Sequence, residues 1–133
     1  MSIWGRLFRR KQPSDFTGTP PLRRIQSYSA QTGYVYQYNF EGARQAENGK
    51  EYRFRVRANA REYKNVFVRV PEHLVREWGT AHSRELVDTE QYGIAKMLLF
   101  QHFDEATDGG ALGSSIVLTR ADLDRISAEL DLD

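Results

Sequence analysis

Residues 50–59 read KEYRFRVRAN, so Arg53, Arg55 and Arg57 alternate with Tyr52, Phe54 and Val56. On an extended strand this spacing puts three guanidinium groups on one face. A guanidinium is planar and permanently charged, and it suits bidentate contact with a carboxylate or a phosphate. Phe67 and Arg69 lie on the next alternating run and belong to the same face. Arg53, Arg55, Arg57, Phe67 and Arg69 therefore form the candidate binding surface: four arginines around one exposed ring. Pairing of the two runs is expected to set Phe67 near Arg55 or Arg57, and Arg69 near Arg53 or Arg55. On an open sheet such a group could follow phosphates while the ring stacks on a base. It could equally meet acidic protein surface, or be solvated, as one face of an antiparallel sheet often is.

Other reactive residue types are sparse. His73, His82 and His102 are 9 and 20 positions apart, which matches no metal-ligand spacing. His82-Ser83 are neighbours in sequence, but a catalytic relay depends on spatial geometry. Asp104 and Glu105, or Asp122 and Asp124, read as solvated helix ends. DGGALG at 108–113 lacks the Lys-Ser/Thr that follows a phosphate-binding glycine loop, and it lacks the alternating oxygen ligands of a calcium loop. Gly109 reads as a helix stop, with Gly110 and Gly113 in a loop. No catalytic, cofactor or metal residues are assigned, and a non-enzymatic role is expected.

Charge is unevenly distributed along the chain. Residues 1–71 hold 14 Lys+Arg and 5 Asp+Glu, while residues 72–133 hold 5 and 13, although the net charge is only +1. Fifteen of the 19 basic residues are arginine, which favours planar recognition over diffuse attraction. Such polarity bears on association rather than fold. The leading expectation is a small protein-interaction module that self-associates through its basic (1–71) and acidic (72–133) halves. The alternative is a nucleic-acid-binding domain that uses the Arg/Phe face, helped by Arg6, Arg9, Arg10, Arg23 and Arg24. Ile3, Trp4, Leu7 and Phe8 share one helical face amid basic residues and could make weak peripheral membrane contact. The start lacks the long apolar core of a secretory signal, and no stretch is long and apolar enough to span a bilayer. Cysteine is absent, so disulfide and thiolate chemistry are excluded. A cytoplasmic location is the default.

The elements that must carry the arginines follow from periodicity. Residues 1–24 form a basic arm that includes a Pro/Ser/Thr/Gly-rich stretch, and 25–133 form one domain. Tyr34, Tyr36, Tyr38 and Phe40 alternate with polar or β-branched residues, as a half-buried strand does. Strands follow at about 51–58 and 64–70, with Tyr52, Phe54, Val56, Val66, Val68 and Val70 inward. Between the first two strands, a three-residue loop Glu47-Asn48-Gly49 sets Phe40 opposite Val56 and Glu41 opposite Arg55. Gly49 then takes the left-handed position of a bulge. Pro71 fits the first turn of a helix carrying Leu74, Val75 and Trp78, and Gly79 ends or interrupts that helix. Asp88 or Thr89 caps a second helix with Ile94, Met97, Leu98, Phe100 and Phe103 on its apolar face. Ile116-Val117-Leu118 could be a fourth strand, and Ile25–Ala30 an edge strand. Thr119 begins a last helix with Asp122 as its capping-box partner, and Leu123, Ile126 and Leu130 form its stripe. The fold class is α+β: an antiparallel three- to four-stranded β-meander with helices packed on one face, in the order β-β-β-α-α-(β)-α.

Overall fold

The computed structural model describes residues 24–106 and 112–133. Five strands form one sheet in the order β1-β2-β3-β4-β5: β1 (Gln26–Ser29), β2 (Val35–Ala46), β3 (Gly49–Ala58), β4 (Lys64–Pro71) and β5 (Ser115–Val117). Three helices complete the α+β architecture: α1 (Glu72–His82), α2 (Asp88–Glu105) and α3 (Arg120–Glu129). The first four strands are an antiparallel meander. The sheet is wider than expected at both edges. Ile25–Ala30 supplies β1, and the Ile116 segment forms β5, which runs parallel to β4.

Alternation places one face of the sheet against the helices. Tyr36, Tyr38, Tyr52, Phe54, Val56, Val66, Val68 and Val70 are buried together with Leu74, Trp78, Ile94, Leu98, Leu99, Phe103, Leu123 and Ile126. The contacts are aromatic: Tyr36 stacks on Phe103 at 4.1 Å, Tyr28 on Phe100 at 4.4 Å, and Phe40 meets Tyr92 at 5.0 Å between ring centroids. Offset or edge-on ring pairs of this kind add to the stabilisation from area burial. Met97 and Phe100 are half-buried, and Ala95 and Leu99 take the inward positions beside Ile94 and Leu98. The Tyr28 hydroxyl donates to Asp104 at 2.7 Å and fastens β1 to α2. Burial, and then that carboxylate, push the Tyr28 hydroxyl up to about 12.

Four local expectations are corrected. The β2–β3 connection is a two-residue turn, with Ala46 opposite Gly49. Gly49 therefore belongs to β3, and the extra residue sits further along at Glu41, where the register shifts between Phe40 and Gly42. Phe40 consequently faces Phe54, and Asn39 faces Arg55. Face parity survives because the short turn and the bulge together displace the register by two residues. Pro71 closes β4 and caps α1 from an extended conformation rather than lying in its first turn. Gly79 neither ends nor breaks α1, which stops at Ser83 in a left-handed conformation (φ 55°). Neither Asp88 nor Thr89 caps α2: Asp88 is its first residue, and the cap is Val87, whose N–H is bound by the Glu90 carboxylate at 3.0 Å. The α3 cap is as expected: Thr119 Oγ1 accepts from the Asp122 N–H at 3.1 Å, and Asp122 accepts from the Thr119 N–H at 3.0 Å. Gly109 and Gly110 lie outside the described residues, as does the N-terminal arm up to Arg23.

The β3–β4 turn carries strain. Asn59 and Ala60 both have positive φ (47° and 64°), and the Arg61 N–H donates to the Ala58 carbonyl at 2.9 Å. This is the primed hairpin geometry that favours Asn-Gly, with alanine where glycine is preferred. The Asn59 side chain also accepts from the Val35 N–H at 2.8 Å, so the turn is tied to β2. Ala60→Gly should remove the left-handed penalty and stabilise the fold by about 1 kcal/mol. The check is the urea midpoint, which should rise at unchanged slope.

Candidate interaction face

The face of the sheet turned away from the helices carries the arginines. β3 contributes Arg53, Arg55 and Arg57, and β4 contributes Phe67 and Arg69, so all five candidate residues share one surface. Their neighbours differ from the expectation. Arg53 lies opposite Phe67, Arg55 opposite Asn65, and Arg69 opposite Glu51. Phe67 is half-buried rather than exposed.

The bulge adds a fifth arginine. Beyond Glu41 and Gly42 (φ 143°) the parity of β2 inverts, so Ala43 turns into the core and Arg44 turns outward. Strict alternation continued past Phe40 would place Arg44 on the core side. The signal for it was a glycine in the interior of an otherwise regular strand.

Each arginine has a specific contact on this face. Glu51 is buried, 6% exposed, and lies between two of them: Arg44 at 2.9 Å and Arg69 at 2.9 Å. Burial alone would raise the Glu51 carboxyl. Hydrogen bonds from Arg69 and Arg44, with their charge, overcome that and hold it below its ordinary value. Arg53 is 3.8 Å from Glu41, whose other oxygen accepts from the buried Asn39 amide at 2.5 Å. Arg57 donates to Gln37. Arg55 and Arg57 both lie over the ring of Tyr63, at 4.4 and 4.8 Å from its centroid. Tyr63, just before β4, escaped notice because it stands outside the alternating run.

The arginines are thus held by Glu41, Glu51, Gln37 and Tyr63, all from the basic half of the chain. The acidic helices lie on the other side of the sheet. Among the described residues, five arginines share this face with two glutamates. A guanidinium has five N–H donors, and the contact of Arg55 with the face of the Tyr63 ring uses none of them.

The histidines do not converge on one another. His82 stacks on Trp78 at 4.0 Å, with Nδ1 2.8 Å from the Trp78 carbonyl and Nε2 3.4 Å from Asp133. Among the described residues no group of three or more His, Asp or Glu could hold a metal ion. No described helix is long and apolar enough to cross a membrane. A cleft of about 720 Å³ lies between the β2–β3 hairpin, α1 and the α1–α2 connection. Its floor is Val70, Val75 and Leu86, and its rim mixes Arg76 with Glu72 and Glu85.

The fold and the face together define an α+β domain with helices on one side of its sheet and an arginine-lined surface on the other. No family model, curated protein or solved structure matches the chain.

Proposed function

We propose that the chain is a protein-interaction module whose outer sheet face receives an acidic segment of a partner. The observation that carries this reading is the bracing of the arginines. Glu41, Glu51 and Tyr63 fix guanidinium groups in place on the side of the sheet opposite the helix layer. Side chains already ordered lose less freedom when a carboxylate docks, so binding is less penalised by entropy.

A nucleic acid would call on the same charges but would also need an open ring on which to stack a base. Phe67 is half-buried, and two guanidinium groups already lie over Tyr63. These contacts favour carboxylates over bases.

Titration with a glutamate-rich peptide and with a single-stranded oligothymidine of equal charge tests the choice. The peptide should bind saturably, and Arg55→Gln with Arg57→Gln should weaken it about tenfold while thermal stability is retained. Tighter binding of the oligonucleotide, with a steep loss of affinity as salt rises, would transfer the face to nucleic acid. Binding of neither would remove the proposal.

A further inference from the structure

We infer that the acidic partner is a second copy of this chain, docked head to tail, with the acidic seam between α1 and α3 of one copy on the arginine face of the next. This rests on the reading of the outer face as an interaction surface, and adds the partner and the symmetry of the contact.

The argument starts from where the two charges lie. The sheet separates them, arginines on its outer face and carboxylates on the helices packed against its inner face. Glu77 and Asp124 line a narrow cleft between α1 and α3, together with His82 and Arg120. Arg120 pairs with Glu77 at 3.2 Å, and Asp133 lies beside His82. Asp124 and Asp133 are exposed at this seam, and the helical half of the chain carries 13 acidic against 5 basic residues. An acidic surface of the needed sign is therefore present on every copy.

Symmetry then selects the arrangement. A two-fold contact is isologous and brings each patch against itself. Sheet face on sheet face would oppose arginines to arginines. Helix layer on helix layer would oppose carboxylates to carboxylates. Only the heterologous arrangement, the outer face of one copy on the acidic seam of another, brings unlike charges together. Such a contact leaves a face unused at one end and a seam unused at the other. It therefore does not stop at two copies, and continues to a ring or an open chain.

Two neutralising variants test this without introducing new attractive charges. One is Arg55→Gln with Arg57→Gln, which disables the face. The other is Asp124→Asn with Asp133→Asn, which disables the seam. Sedimentation velocity of the full chain at low salt should show mass growing with concentration beyond a dimer and falling as salt is added. Each variant alone should remain monomeric. An equimolar mixture should form a dimer that grows no further, because only one intact face and one intact seam are available.

A wild-type protein that stops at a dimer, with a mixture of variants that stays monomeric, would overturn head-to-tail docking. A wild-type monomer that still binds the glutamate-rich peptide would overturn self-association and leave the interaction face standing. A wild-type monomer that ignores the peptide would remove both. Thermal melts of each variant distinguish lost contact from lost fold.

Discussion

Gly49→Ala should be among the most destabilising single substitutions in the chain, at about 3 kcal/mol or more. Gly49 opens β3 at φ 151°, a backbone conformation that alanine rarely adopts. A Cβ there would stand 2.2 Å from the Val70 carbonyl oxygen, 2.8 Å from the Glu72 nitrogen and 2.9 Å from the Pro71 Cα. All three are backbone atoms at the junction of β4 and α1, so no side-chain rotation relieves the clash. The same junction is fastened to the hairpin by the Glu72 N–H, which donates to the Asn48 carbonyl at 2.8 Å. Relief would require the hairpin to part from the start of α1. Chemical denaturation of Gly49→Ala against wild type is the check. A loss under 1 kcal/mol would mean that the hairpin and helix are not held this closely.

Glu51→Gln is the second large effect, expected to cost about 2 kcal/mol at neutral pH. The carboxylate is buried between Arg44 and Arg69, and its neutralisation removes the counter-charge that it gives to both guanidinium groups. Those arginines are about one-third exposed (36% and 35%), so water screens part of the penalty and the figure is below that of a fully buried pair. The pH dependence has a definite sign. The Glu51 carboxyl titrates below its ordinary value in the folded protein, so the unfolded chain binds its proton first as pH falls. Its stabilisation is present above the ordinary glutamate range and is lost as pH drops through the lowered folded value. Glu51→Gln lacks that titration. The stability gap between wild type and variant should therefore narrow on acidification. A gap that stays constant with pH would show that the ion pairs do not stabilise the fold.

Much of this architecture could be read from alternation and capping. The run Tyr34 to Phe40, the valines of β4 and the Thr119–Asp122 cap each reflect local physics, which a sequence displays directly. Register was less legible, because it depends on where a single extra residue is placed. Either a three-residue loop at Gly49 or a bulge at Glu41 keeps Phe40 on the core side, so face parity could not choose between them. The choice fell to tertiary packing: Gly49 lies against Val70, Pro71 and Glu72, residues more than twenty positions away. The same limit explains the candidate face. Arg53, Arg55 and Arg57 announce themselves by spacing. Their counter-ion Glu51, the displaced Arg44 and the ring of Tyr63 become neighbours only once the bulge and the β3–β4 turn are formed. The two edge strands are short, β1 with four residues and β5 with three, and carry little periodicity to detect.

The parallel edge strand sets an order of events for folding. β2, β3 and β4 pair through hairpins, between residues near in sequence, so these contacts close short loops. β5 pairs Val68 with Ile116, 48 positions later, after α1 and α2 have been traversed. Closing so long a loop loses more chain entropy before any pairing compensates it, and contacts of this separation slow folding. The meander can assemble while the β5 side of β4 is still bare, its N–H and C=O groups open to other strands. For that interval the nascent chain carries an unguarded sheet edge beside a partly covered apolar face, the state in which strand exchange between chains competes with completion of the fold.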